Sequence, residues 1–345
     1  MIGRRGAGPA AVIAALWLPS LAWLWMVYRL EIALALTGLL GYLTVSALRN
    51  AAGDDAAARP LPWRQAAVIL FFALGWSAFT GLAHVFTINT DWFSRLEIVD
   101  QFRASPWQRL HADGQDYFLR FPGAYYALTA LFGGIATTGV LRMILFIATA
   151  LSCAIALARL FGKTAGRTLA GFLFVIVCIN GFDILGVALP ALRIGVPLPP
   201  FGSHVEWWSG LQYTGLTTAM VWVPNHLLPA LLFCSLLPLA RENAPGSMAR
   251  VELLALAAAG TMLWSPLVFL GTLPLIFAEL AATVRTISWR RCIAELRPAC
   301  VASLLLVMVA ITWYLTLDAG SIRKGLYFQS CGAAWLRCSG WFAFF

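Results

Sequence analysis

Residues 168–189, TLAGFLFVIVCINGFDILGVAL, decide the fold class of this chain. As a helix rising about 1.5 Å per residue, the stretch is long enough to cross the roughly 30 Å of hydrocarbon in a bilayer. Its single charged residue is Asp183. A carboxylate inside a bilayer costs about 2.5–3.5 kcal/mol on insertion scales, so it is retained where it faces protein, water or a ligand. The stretch therefore predicts a membrane-spanning helix that carries a functional carboxylate.

The rest of the chain has the same character. Of its 345 residues, 61% are hydrophobic and only 11% are charged, and the mean hydropathy is +0.80. This composition excludes a soluble domain and predicts a polytopic membrane protein. Further apolar runs of spanning length cover residues 10–28, 32–48, 66–86, 141–158, 222–240, 266–284 and 299–315.

Two shorter apolar runs, 123–138 and 251–264, are ambiguous because each is shorter than a span usually needs. We treat the first as a partial or re-entrant segment, and the second as a crossing joined to the next helix through a break at 264–266. The predicted fold is all-α, a single polytopic helical bundle over residues 1–345 with about nine spans plus one partial segment. The tail, 318–345, reads as a truncated or irregular terminus.

Arginine and lysine positions predict how the bundle sits in the membrane. The net charge of +9 is spread over loops rather than gathered with aromatic residues on one soluble face. It therefore indicates positive-inside topology and no nucleic-acid partner. With 123–138 as a partial segment, the two longest polar loops, 87–122 and 190–221, lie outside. The amino terminus and the other basic groups lie inside: Arg4, Arg5, Arg49, Arg59, Arg64, Arg159, Lys163, Arg167, Arg241, Arg250, Arg285, Arg290, Arg291 and Arg297.

The loop 87–122 begins with a helical pattern and carries the candidate catalytic residue. Apolar residues recur there at helical spacing, at Trp92, Leu96, Val99 and Phe102. This pattern predicts an amphipathic helix along the membrane surface. Asp91 and Arg95 would share its polar edge one turn apart. An equally good interpretation of this segment alone is a solvated connector with an i,i+4 ion pair worth a few tenths of a kcal/mol.

Further along the same loop, a second polar group could bind a cation and a phosphate. Asp113 and Asp116 lie close together, Arg120 follows, and Tyr125 and Tyr126 come after it. Hard cations take oxygen ligands, and guanidinium grips phosphate oxygens in pairs. The group could therefore hold a divalent cation beside a phosphate. A turn capped by Asp113 explains the first carboxylate at least as well.

The second outer loop and the run behind it carry histidines and tryptophans. Adjacent tryptophans at a membrane boundary usually act as interfacial anchors. The candidates in the loop are His204, Glu206, Trp207 and Trp208. Behind Pro224 come Asn225 and His226, close enough to the boundary of an apolar run to be wetted. His226 could exchange protons near neutral pH or grip a phosphate, or it could be a satisfied structural histidine.

In these segments the chain resembles the integral-membrane glycosyltransferases of the GT-C fold, and in particular uncharacterised bacterial multi-span proteins. The resemblance covers roughly residues 66–284. It rests on TDW at 90–92, GFDILG at 181–186, HVEWW at 204–208 and WVPNH at 222–226. GT-C enzymes use a polyprenyl-phosphate-linked sugar and place an acidic residue in the first large outer loop, which Asp91 matches here. The chain departs from the family pattern in having no adjacent Asp-Glu or Asp-x-Asp in that loop.

The resemblance implies transfer of a sugar to an envelope acceptor at the outer face of a bacterial plasma membrane. Asp91 would act as the base while an acceptor hydroxyl attacks the sugar carbon and the polyprenyl phosphate leaves. Arg95, Arg120 and His226 would contact the phosphate. The other substrate-binding residues implied are Asp116, Tyr125, Tyr126, Asp183, His204, Glu206, Trp207, Trp208 and Asn225.

The alternative function is a transporter or flippase for a lipid or small solute. Asp183 would then be a proton or cation site within the membrane. Two features favour the enzyme, since no two halves of the chain repeat and the polar candidates gather at one face rather than at the midplane. A structural subunit is a third possibility.

Overall fold

The architecture comes from a computed structural model of the protein, which describes residues 7–28, 30–51, 61–83, 92, 95–100, 109–112, 115–118, 122–162, 164, 166–178, 193, 215–237 and 248–316. Of residues 109–112 and 115–118, the backbone alone is described. Predictions that fall elsewhere, including those on the tail 318–345, lie outside the described residues.

Helices form nearly all of the described regular structure. In chain order they are α1 Ala7–Val27, α2 Leu30–Ala51, α3 Trp63–Ala78, α4 Ala127–Phe132, α5 Thr138–Phe161, α6 Gly166–Cys178, α7 Leu216–Trp222, α8 Pro224–Cys234, α9 Met248–Thr261, α10 Pro266–Ile287, α11 Trp289–Glu295 and α12 Pro298–Thr316. Residues 95–100 are also helical. The all-α prediction is confirmed apart from one antiparallel ribbon in the first loop, formed by β1 Arg109–Ala112 and β2 Gln115–Phe118.

Five of the described helices are long and apolar enough to cross a membrane: α1, α2, α5, α10 and α12. Much of their apolar surface faces outward, since only 11% of the spanning window of α10 and 28% of those of α2 and α12 are buried in the bundle. Apolar surface on this scale requires lipid around it. The protein is therefore an integral membrane protein, as its composition predicts.

Two predicted spans are shorter in the structure than in the sequence pattern. In the run 66–86, α3 ends at Ala78, and Gly81 takes a φ of 80°. This left-handed conformation is typical of the end of a helix. The run 222–240 is interrupted at Val223, because Pro224 disfavours helical backbone in the residue before it.

The two ambiguous regions of the sequence, 123–138 and the break at 264–266, are a short partial helix and a tight turn between two helices. Residues 123–138 contain a 3-10 turn, Ala124–Tyr126, then α4 and a turn before α5. α4 has six residues, about 9 Å of helix, and does not cross a bilayer. The break at 264–266 is a chain reversal, in which Ser265 caps α10 by accepting a hydrogen bond from the Val268 N–H (3.2 Å).

Helix termini that carry arginine meet at one end of the bundle, called the basic end here. Arg250 near the start of α9 pairs with Glu279 in the second half of α10 (2.9 Å), so α9 and α10 form an antiparallel hairpin. Arg297, just before α12, donates a hydrogen bond to each carboxylate oxygen of Glu252. It donates a further hydrogen bond to Ser46 near the end of α2. The start of α9, the end of α10, the start of α12 and the end of α2 therefore lie together.

α1, α3 and α5 each have one end at the basic end as well. α1 is antiparallel to α2, as the hydrogen bond from Trp25 to Thr37 shows (2.9 Å). Arg159 near the end of α5 lies against Gly8, where a Cβ atom would be 2.6 Å from its Nη1. Leu61, before α3, lies against Gly162, after α5. The starts of α1 and α3 and the end of α5 thus belong to the basic end.

Tryptophans fix α1 in the centre of the bundle. Trp17 donates to the Leu256 carbonyl of α9 (3.0 Å), and Trp264 donates to the Leu16 carbonyl of α1 (2.9 Å). Near the other end of α1, the indole of Trp23 lies on Gly123, so closely that a Cβ there would be 2.1 Å from a ring carbon. This contact sets the position of the 3-10 turn next to α1, at the end of the bundle opposite the basic end.

Candidate functional site

Trp92 anchors the first loop at the end of the bundle opposite the basic end. Its side chain is fully buried, and its Nε1–H donates a 2.9 Å hydrogen bond to the carbonyl of Val221 in α7. Its ring centroid lies 6.4 Å from that of Tyr125. The first loop is thereby tied, at the residue after the candidate base Asp91, to the segment that leads into α8.

Arg95 lies next to this anchor on the helical stretch 95–100. Its guanidinium carbon is 5.2 Å from the centroid of the Trp92 ring, within cation–π range. Its Nη1 donates a 3.3 Å hydrogen bond to Oδ1 of Asn225, and it also hydrogen-bonds the Tyr126 hydroxyl. Among the described residues, no carboxylate forms an ion pair with Arg95.

Tyr125 and Tyr126 form the wall behind Arg95. Each is 4% exposed, and their rings meet edge to face with centroids 5.1 Å apart. The Tyr125 hydroxyl is 2.9 Å from Oγ1 of Thr149 in α5. Burial raises the pKa of the Tyr126 hydroxyl to about 12, and the charge of Arg95 opposes that rise. The rings serve as packing in this conformation, since stacking on a sugar would require exposed faces.

His226 is the third polar group at this end, in the first turn of α8, which is outside the five candidate spans. Its Nδ1 is 2.6 Å from Oγ of Ser265, the cap of α10. Burial, with the charge of Arg95 as a second cause, lowers the pKa of His226 below its ordinary value of 6.5. The imidazole is therefore neutral near pH 7, so it can donate one hydrogen bond and accept another.

The structure brings together five of the residues selected from the sequence. Arg95, Tyr125, Tyr126, Asn225 and His226 surround one another at the end opposite the basic end. Together with Trp92 and Ser265 they are called the Arg95 cluster here. The cluster offers a held cation, an amide, a neutral imidazole and a buried phenol, a donor-rich set suited to an anionic ligand.

Most of the other selected residues lie outside the described part of the chain: Asp91, Arg120, Asp183, His204, Glu206, Trp207 and Trp208. Asp116 is described through its backbone, in β2 opposite His111 of β1. Among the described residues, no group of three or more histidine, cysteine, aspartate or glutamate side chains could hold a metal ion. The side chains of the predicted cation ligands Asp113 and Asp116 lie outside the described residues.

Sequence reasoning did not select Ser265, Thr149 or Trp264 as parts of the site, although each touches one of its members. Trp264 lies 6.2 Å from Tyr125, centroid to centroid. The Ser265-Pro266 pair has a recognisable signal, since serine as a cap followed by proline in the first helical position marks a helix start. The contacts of Thr149 and Trp264 have no such local signal.

The comparisons with known proteins do not extend this description. No family model, no curated protein and no solved structure matches the chain.

Proposed function

We propose that the protein is a membrane glycosyltransferase of the GT-C type. It transfers a sugar from a polyprenyl-phosphate donor to an envelope acceptor in the plasma membrane of a bacterium. The observation that carries the proposal is the position of Arg95, held between Trp92 and Asn225 beside the neutral His226. A fixed guanidinium with neighbouring donors is what a phosphate leaving group requires.

The orientation of the bundle supports a reaction outside the cytoplasm. Arginine-rich helix termini are retained on the cytoplasmic side of membranes. With the basic end in the cytoplasm, the Arg95 cluster faces the outer surface. This is the side on which lipid-linked sugars meet envelope acceptors.

In the proposed reaction, the acceptor hydroxyl oxygen forms a bond to the anomeric carbon, and the bond from that carbon to the phosphate oxygen breaks. Asp91 takes the hydroxyl proton as general base. The polyprenyl phosphate leaves with the electron pair of the broken bond, and Arg95 neutralises the charge that develops on it. Asp91 comes directly before the anchored Trp92 in sequence, four residues before Arg95.

The variant Asp91→Asn tests the proposal. Losing a catalytic base should lower the transfer rate by about 10²–10⁴-fold, whereas losing an exposed i,i+4 partner should change little. The assay is incorporation of sugar from a polyprenyl-phosphate donor into glycan by purified protein in liposomes. Glu97→Gln is the matched control, since Glu97 is an exposed carboxylate on the helical stretch 95–100, six residues after Asp91 in the sequence. Wild-type activity in folded Asp91→Asn protein would remove Asp91 from the mechanism.

A further inference from the structure

A cavity of about 140 Å³ lies near the basic end, on the side of the bundle away from the Arg95 cluster. It lies between α2, α9 and α12, and its wall is almost wholly apolar. The wall includes Leu43, Ala47, Val251, Cys300, Val301 and Leu304. Empty apolar cavities of this size stay free of water and accept apolar groups. The cavity is therefore suited to a hydrocarbon chain rather than to a polar substrate.

The cavity is reachable from outside the bundle. Ala255, Val301 and Leu304 line it and are themselves partly exposed, and Leu296 on its rim is 40% exposed. Outside the cavity, the neighbouring faces of α12 are apolar and open, with Leu305 60% and Val309 63% exposed. In a membrane, these surfaces are covered by acyl chains, so the group that has access to the cavity is an acyl chain.

The short helix α11 sets the depth of the rim. Trp289 and Ile293 expose 58% and 53% of their surfaces, next to the exposed Arg290 and Arg291. Tryptophan with arginine on one short helix is typical of the headgroup level of a bilayer. Leu296, which lines the cavity, follows α11 directly. The rim of the cavity therefore lies at the depth where phospholipid head groups sit.

The charges around the rim favour an anionic head group. Three arginines there have a carboxylate partner: Arg250 with Glu279, Arg291 with Glu295, and Arg297 with Glu252. Arg49 in the last turn of α2, Arg285 in the last turn of α10 and Arg290 in α11 are exposed, and no described carboxylate pairs with them. The described residues therefore leave uncompensated positive charge at the basic end, where the cavity lies.

We propose that this cavity binds a segment of one acyl chain of an anionic phospholipid from the leaflet at the basic end, with the head group held by Arg49 and Arg290. Basic pockets between helices on the cytoplasmic side bind anionic head groups in this way. The site is separate from the Arg95 cluster and does not depend on the proposed transfer reaction.

A matched pair of substitutions on α12 tests the acyl-chain part of the proposal. Val301→Phe fills the cavity, whereas Val309→Phe makes the same change on a lipid-facing position outside it. Purified protein would be equilibrated with phosphatidylglycerol, and bound lipid would be counted by native mass spectrometry. We expect Val301→Phe to retain several-fold less phosphatidylglycerol than the wild type and Val309→Phe to retain as much. Equal retention by the two variants would overturn the proposal. If Val301→Phe does not fold, Ala255→Leu fills the same cavity from α9.

The head-group part is tested by charge. A surface arginine contributes on the order of five-fold to binding of anionic lipid. The double variant Arg49→Gln, Arg290→Gln should therefore lose on the order of twenty-fold of the preference for phosphatidylglycerol over phosphatidylcholine, while binding of phosphatidylcholine stays unchanged. A wild-type protein that retains the two lipids equally would overturn the proposed charge recognition.

Discussion

Nη1 of Arg95 donates a 3.3 Å hydrogen bond to Oδ1 of Asn225, and so joins two parts of the chain that are separated by 130 residues. The contact brings the first loop onto the start of α8, beside His226. Because the guanidinium also lies over the Trp92 ring, its orientation is fixed from two directions. An arginine held in this way is preorganised for an oxyanion, which lowers the cost of ordering it when a ligand binds.

Arg95→Gln should weaken binding of the sugar donor. Charge-assisted hydrogen bonds contribute about 1.5–3 kcal/mol, which corresponds to a rise in the donor KM of roughly 10–140-fold. Arg95→Lys keeps the charge but loses the planar guanidinium, so its donor KM should lie between those of the wild type and Arg95→Gln. Steady-state kinetics with Glu97→Gln as control would measure the effect. A donor KM that stays the same in both Arg95 variants would exclude Arg95 from phosphate binding.

Gly123→Ala should prevent correct folding. The new Cβ would lie 2.1–2.4 Å from three ring carbons of Trp23, and that ring is fully buried, with its Nε1–H bound to the Tyr314 hydroxyl (3.0 Å). Gly75→Ala is the control, because nothing lies within 4 Å of the Cβ position there and alanine favours a helix over glycine. Size-exclusion profiles and Tm values in detergent would distinguish them. A Tm for Gly123→Ala equal to that of the wild type would mean that the Trp23 contact is not fixed.

Acidification should destabilise the protein through His226. Its pKa in the folded state is lowered from 6.5, so in the window just below 6.5 the unfolded chain binds a proton that the folded protein does not. The free energy of unfolding therefore falls as the pH is lowered through that window. The Tm should drop less between pH 7.5 and 5.5 in His226→Gln than in the wild type. Parallel drops would show that His226 does not titrate in this window.

The sequence predicts the parts of this structure that follow from local patterns. Hydrophobic runs locate the long helices, and the Ser265-Pro266 pair marks a helix start because its capping chemistry is local. The length of a hydrophobic run predicts the ends of the helix less well. The run 222–240 contains Pro224, and α3 ends at Ala78 in a turn closed by the left-handed Gly81, before the run 66–86 is complete. In both cases a backbone preference of one residue decided the helix boundary against hydropathy.

The candidate site was predictable as a set of residue types but not as a set of contacts. Arg95 and His226 were selected because ionisable side chains at a membrane boundary are commonly functional. The residues that contact Tyr125, Thr149 and Trp264, come from α5 and the turn after α9, and only tertiary packing brings them together. Such long-range contacts have no signal in a single sequence.

The two ends of the bundle should lie on opposite sides of the membrane. Ile135, between α4 and α5, is 85% exposed and lies at the end of α5 away from Arg159, whereas Arg290 lies at the basic end. With positive-inside orientation, Ile135→Cys should react with an impermeant maleimide in intact cells, and Arg290→Cys should react only after permeabilisation. The parent protein controls for native cysteines. The inverse pattern would place the Arg95 cluster in the cytoplasm.

The last prediction separates the enzyme from a transporter through Asp183, five residues after the end of α6 in the sequence. Near the end of α6, the carbonyl of Val177 accepts a hydrogen bond from Thr217 (2.9 Å), and Thr217 accepts one from Trp76 (3.2 Å). In an enzyme, Asp183→Asn should lower sugar binding or turnover, and no dependence on a proton gradient should appear. In a transporter, protonation of Asp183 is coupled to movement, so neutralising it should uncouple flux from the gradient.

Purified protein in liposomes would be assayed separately for a covalent sugar product and for solute or lipid translocation. Gradient-driven flux without a sugar product would replace the transferase by the transporter, because a proton-coupled carboxylate has no role in a transfer whose driving force is the bond to the lipid phosphate.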